Sequence, residues 1–200
     1  CACEMYGQAG RIRYWIASNY EESNQLKLSI AEYKITVKYF EASNKVEAVL
    51  SCERKMANLL CTIGEYEEAS ILYYSIGMKE LRYNLTKYNA HHSFLQSSLL
   101  LLPKEMNNEP LTFSSVCKNM KEAIEADFRF EVSASCDFLH NIVHILRNNR
   151  FTLHEFVDHL YDYDSLYPLD TCCLDVLENI LSLRYQTQLD DMEKVIQSKN

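Results

Sequence analysis

The sequence predicts an all-α protein: helical hairpins stacked as a tetratricopeptide-like solenoid, a twisted sheet of antiparallel helices, closed by a C-terminal helical bundle. Three observations predict it. Apolar residues recur at helical spacing along almost the whole chain, and no segment alternates strongly with period two. The 200 residues include only 4 Gly and 3 Pro, too few for the many turns of a sheet-rich fold. Two stripes, Ser29–Tyr33–Val37 and Ala69–Tyr73–Gly77, repeat at an offset of 40 residues. Residues four apart share one helix face, so small residues there admit a neighbouring helix and tyrosine fills the groove beside them.

The elements follow in order. Helices are expected at 11–22, 25–41, 44–62, 65–77, 82–102, 111–128, 132–148, 152–162, 169–183 and 187–197. Gly10 and Gly64 permit tight inter-helix turns. Ser23-Asn24 and Ser43-Asn44 are turn and N-cap types. Pro103 cannot continue the helix before it, and Pro110 and Pro168 suit a first helical turn. The opening "CACEMYG" reads as the middle or end of a helix, so an N-terminal part is expected to be missing. "GEYEEASILY" (64–73) fits the second-helix pattern G-x-Y-x-x-A of a tetratricopeptide repeat, with hairpins longer than its ~34-residue unit. The expected division is a hairpin solenoid over 1–128 and a helical bundle over 129–200.

Composition narrows the function. A chain that is 48% apolar and 24% charged can bury a sizeable core. A net charge of −8 argues against a general nucleic-acid binder. The 14 Tyr and 8 Phe are spread at packing spacing, which suits core and groove filling better than base stacking. The 8 Cys contain no CxxC pair and read as reduced cytosolic thiols. "LLLL" (99–102) is far shorter than the ~20 residues of a membrane span, and no signal peptide is visible.

Chemistry is sparse. Cys136, His140 and His144 stand four apart, so one helical face could present metal-type ligands; a fourth from His154 or His159 would need the next hairpin to fold back. "HEFVDH" (154–159) spaces its histidines five apart, which fails the H-E-x-x-H geometry. Adjacent Cys172 and Cys173 point different ways on a helix, and Asp162 and Asp164 suit helix capping. There is no Gly-rich phosphate loop. No catalytic residue, metal or cofactor is expected.

Four stretches carry a family resemblance: "IASNYEESNQLKLSIAEYKITVKYFEAS" (16–43), "SCERKMANLLCTIGEYEEASILYYSIG" (51–77), "LTKYNAHHSFLQSSLLLL" (85–102) and "DYDSLYPLD" (162–170). Their order and spacing resemble those of the soluble NSF attachment proteins (SNAPs), from about residue 10 to 192. The last stretch resembles the family's E-Y-D-S-x-x-x-L-D, with Asp162 in place of the glutamate, and the third resembles its L-x-K-Y-x-A helix. The resemblance implies a cytoplasmic adaptor, peripheral on membranes, and not an enzyme. Its concave sheet would grip a coiled-coil SNARE complex, and its C-terminal end would recruit the NSF ATPase, whose ATP hydrolysis pulls SNAREs apart. The family's membrane-touching loop lies near an N-terminus this chain would lack.

The resemblance also assigns residues. Arg11, Arg13, Lys55, Lys87 and Tyr88 fall near positions that would meet the acidic outside of a SNARE bundle. Leu189, Asp190, Asp191 and Met192 would contact NSF. Ser51, His91, Ala134 and Ser135 stand where the family is usually basic, Cys172 replaces a tryptophan, and "HILRNN" (144–149) lacks acidic residues. The expected member is therefore divergent. A scaffold of another assembly, of vesicle-coat or proteasome-lid type, and a metalloenzyme on the Cys136/His140/His144 face are the alternatives.

Overall fold

The computed structural model describes residues 2–106, 111–148 and 152–197, with side chains described for 3–106, 111–148 and 152–186. The described residues are helical and contain no strand. They divide into two compact units, Cys1–Ser97 and Ser98–Asn200.

The first unit is a series of consecutive hairpins. Helices α1 (Ala2–Glu22), α2 (Leu26–Ala42), α3 (Val46–Thr62) and α4 (Tyr66–Glu80) each pack on the next. Their three turns share one construction. Asn24, Asn44 and Gly64 have φ of 56°, 58° and 83°. Beyond each, an N–H reaches back five residues: Gln25 to Tyr20 O, Lys45 to Phe40 O and Glu65 to Leu60 O, at 2.8–2.9 Å. This is the Schellman closure, which favours Asn or Gly at its left-handed position. Ser23-Asn24 and Ser43-Asn44 thus end helices; the residues that start the next ones, Gln25, Lys45 and Glu65, make no side-chain cap bond.

Between the turns, the stripes do the packing. Ser29, Tyr33, Ala69, Tyr73 and Gly77 are buried, as the spacing predicts. Ser29 Oγ donates to Ala17 O at 2.8 Å, binding α2 to α1 at backbone distance. Each tyrosine reaches the helix before it with its hydroxyl, Tyr33 meeting Ser18 on α1 and Tyr73 donating to Asn58 on α3. Ser18 and Asn58 are themselves 40 residues apart, so the repeat extends to the polar partners.

Several expectations are corrected. Gly10 is in mid-helix, because α1 runs from Ala2 and not from 11. A Cβ at Gly10 would stand 2.6 Å from Phe40 Cε1, so this glycine serves the α1–α2 approach. The helix expected at 82–102 is broken. Residues 81–89 form successive turns held by backbone bonds spanning three or four residues, and Thr86 Oγ1 donates to Glu80 O at 3.0 Å. A helix, α5 (Ala90–Leu99), follows, then the short α6 (Leu102–Met106), whose first turn tolerates Pro103. Phe94 on α5 packs against Gly77, and Ser70 Oγ donates to Ser97 O at 2.7 Å.

In the second unit, α7 (Ser114–Ala126) begins after Phe113, and its Ser115 N–H donates to Glu105 Oε1 at 2.7 Å. A 3-10 turn (Phe128–Phe130) leads to α8 (Ala134–Arg147), capped by Ser133 Oγ. Helix α9 (Leu153–Leu166), capped by Thr152 Oγ1, runs past the expected 162 and stops before Pro168. The two helices expected at 169–183 and 187–197 are one, α10 (Thr171–Gln197), because the segment holds no Gly or Pro to end it. Phe138 stacks on Tyr163 at 4.3 Å between centroids, and the Tyr163 hydroxyl meets Ser135 Oγ at 2.9 Å.

Ala69 is fully buried, so Ala69→Leu should overpack the α3–α4 seam and cost about 1–3 kcal/mol. Calorimetry should show a lower Tm; a Tm equal to the parent's would show that the seam has room.

Candidate functional site

A groove opens on the first unit where α1 and α3 flank the buried edge of α2. Its cavity, about 290 Å³, is lined by Arg11, Tyr14, Phe40, Ala48 and Ser51. Helical spacing explains the lining. Arg11, Tyr14, Ser18 and Glu21 share one face of α1; Ala48, Ser51 and Lys55 share one face of α3. Arg11 is exposed and makes no ion pair among the described residues.

Lys55 lies one turn beyond Ser51 on the same face of α3. Its Nζ lies 2.9 Å from Glu21 Oε2 and 3.1 Å from Oε1, bridging α3 to α1. The ammonium also stands 6.0 Å from the Tyr33 ring centroid. Tyr33 OH donates to the same Glu21 carboxylate at 2.9 Å, and Ser18 Oγ lies 3.1 Å from the phenol oxygen. Burial raises the Tyr33 phenol above its ordinary pKa, so it stays a neutral donor. One chain of polar groups therefore runs Ser18–Tyr33–Glu21–Lys55 across three helices.

The other predicted cations lie elsewhere. Arg13 is two residues from Arg11 and so about 200° around the helix. It donates to Glu32 Oε2 on α2 at 2.8 Å, a bond that raises its already high pKa. Lys87 and Tyr88 sit on the 81–89 segment, with the ammonium 5.2 Å from the Tyr88 ring centroid. Arg11 and Lys55 thus share a face, Arg13 belongs to the α1–α2 seam, and Lys87–Tyr88 form a pair of their own. Leu189, Asp190, Asp191 and Met192 fall on α10, outside the residues whose side chains are described.

A second cavity, about 260 Å³, opens near the α2–α3 turn beside Lys45, Lys79 and Arg82. Lys79 is already bound to the buried Glu53 carboxylate.

Sequence reasoning missed the carboxylates that hold the cations: Glu21, Glu32, Glu53 and Glu80. Glu80 is fully buried, takes Ser93 Oγ at 2.7 Å and pairs with Arg54; burial raises its pKa despite both partners. Partners 34 positions apart, such as Glu21 and Lys55, leave no local pattern.

The candidate metal face does not assemble. Cys136 is buried, while His140 and His144 are exposed. Burial pushes the Cys136 thiol up to about 11, away from the thiolate that zinc requires. Among the described residues, no three His, Cys, Asp or Glu side chains converge to hold a metal ion. Cys3, Cys52, Cys117, Cys136 and Cys173 are free thiols, as the sequence reading expects of them.

The family model of the soluble NSF attachment protein, SNAP, matches residues 1–182. The chain belongs to the SNAP family. Members of this family are adaptors rather than enzymes. No curated protein matches the chain. No helix among the described residues of this SNAP is long and apolar enough to cross a membrane.

The thiols give a direct check on packing. Burial raises Cys52 to about 12, and it raises Cys173 further still. At mildly alkaline pH, a thiol reagent such as DTNB should label exposed Cys3 and leave Cys52, Cys136 and Cys173 unreacted until denaturant is added. Fast native labelling of these three, read by peptide mass spectrometry, would contradict the described core.

Proposed function

We propose that the protein is an adaptor that binds SNARE complexes through the α1–α3 groove and recruits the NSF ATPase through the end of α10. It acts by orientation. The groove holds a four-helix rod, and the C-terminal helix recruits the ATPase, which supplies the work of disassembly. This places the protein in the cytoplasm, peripheral on membranes. The observation that carries the reading is the family match over residues 1–182; the exposed Arg11 in the lining of the α1–α3 groove supports the choice of face.

Charge supports the choice of partner. The outside of a SNARE bundle is acidic, and complementary charge sets encounter rate and register. Arg11 lines the groove and is exposed, Lys55 bridges α3 to Glu21 on α1, and Lys87 is held against Tyr88 on the segment after α4. A second reading, a tetratricopeptide-like scaffold with a different client, is favoured by one observation: Lys55 and Arg13 already have carboxylate partners within the chain.

Charge reversal at Arg11, Lys55 and Lys87 together should weaken co-sedimentation with a SNARE bundle, and the loss should shrink as salt is raised. Binding equal to the parent's would move the SNARE site off this groove. Leu189→Ala with Met192→Ala should leave SNARE binding intact and reduce stimulation of the NSF ATPase. Undiminished stimulation would remove the α10 end from the proposal.

A further inference from the structure

The predicted groove cation Lys55 is not free to meet a partner. Glu21 takes its ammonium with both carboxylate oxygens, at 3.1 and 2.9 Å. Both side chains remain about one-third exposed, 37% for Lys55 and 32% for Glu21, so the pair is formed at the surface where a partner would arrive. A carboxylate on an incoming rod would offer Lys55 the contact that Glu21 already supplies. Glu21 would also stand among the acidic groups of that rod as a like charge.

We propose that Glu21 is a specificity-determining residue of the groove: an internal competitor that occupies Lys55 and raises the threshold for acidic partners. The inference rests on the reading of the groove as a SNARE-binding face, but its physical content is local. An acidic partner gains Lys55 only by displacing Glu21, and a partner of low charge density gains nothing by doing so. The groove therefore selects rods whose acidic residues are dense enough to win the exchange. Glu21 does not drift away between encounters, because the Tyr33 hydroxyl donates to it from the buried seam.

The test is Glu21→Gln in the full chain. The amide oxygen still accepts from Tyr33, so the Tm should stay near the parent's, while the amide hydrogens turn Lys55 away. An exposed ion pair of this kind costs a partner little to break, so removing it should tighten SNARE-bundle binding about two- to fivefold at low salt. Glu32→Gln removes the same charge from the α1–α2 seam, where it holds Arg13, and should leave binding unchanged. In a Lys55→Gln background, Glu21→Gln should lose most of its effect.

A readout independent of any SNARE separates the two ideas. Acetylation of Lys55 by an amine-directed reagent, followed by mass spectrometry, should quicken several-fold in Glu21→Gln and not in Glu32→Gln. Quickened acetylation with no SNARE binding by any variant would sink the SNARE reading and leave Glu21 as the holder of Lys55. Unchanged acetylation, or equal tightening by Glu32→Gln, would overturn the proposal.

Discussion

The hydroxyl of Tyr33 is the constraint on which the first unit turns. The ring is sealed between α1 and α2 with no exposed surface, so its polar tip must find partners at the rim of the seam. Leaving a buried hydroxyl without one costs roughly 1–3 kcal/mol. Ser18 and Glu21 meet that need. The placement of Glu21 then follows from packing and not from the charge opposite it, because an exposed ion pair is worth only about 0–1 kcal/mol. The core thereby sets a negative charge on the exposed face of α1, and Lys55 answers it from α3. Fold and face are joined at one carboxylate.

The same order of effects recurs across α3 and α4. Glu53 and Glu80 are buried, and an unpaired buried carboxylate is expensive. Lys79 and Arg54 are drawn onto them, each from the opposite helix of the hairpin. Cations that composition counts as surface charge are thus spent inside the chain. The cavity beside Lys45, Lys79 and Arg82 is less basic than its lining suggests for this reason. A net charge of −8 understates the effect, since it says nothing of where the remaining positive groups lie.

These interactions explain what could be read from the sequence. The stripes were legible because helical packing is periodic: Ala69, Tyr73 and Gly77 stand four apart and share a buried face. The breaks near residues 24, 44 and 64 were legible because turn residues mark them. The role of each marker was not. Asn24 and Asn44 look like N-cap residues, and only their positive φ shows that they close the preceding helix. Gly10 looks like a turn, yet its missing Cβ makes space for Phe40. A glycine that serves backbone freedom and one that serves a close approach are the same letter. The cationic residues were legible singly and misleading together, because helix phase separates Arg11 from Arg13, and distant carboxylates decide which cation is available.

Family membership and surface charge therefore carry different weight. A hairpin fold tolerates change at its exposed positions provided the seams keep their small residues and their tyrosines, so matching 1–182 secures the architecture. It does not secure the potential over the groove, which a few residues control. Ser51 lines the groove as a neutral residue, Glu21 occupies Lys55, and Glu32 takes Arg13 away on the far face of α1. Arg11 is left as the exposed cation of the α1–α3 lining. On the proposed reading, an acidic rod would meet Arg11 directly and would gain Lys55 only by displacing Glu21, so the charge of this face would bear on which partner it takes.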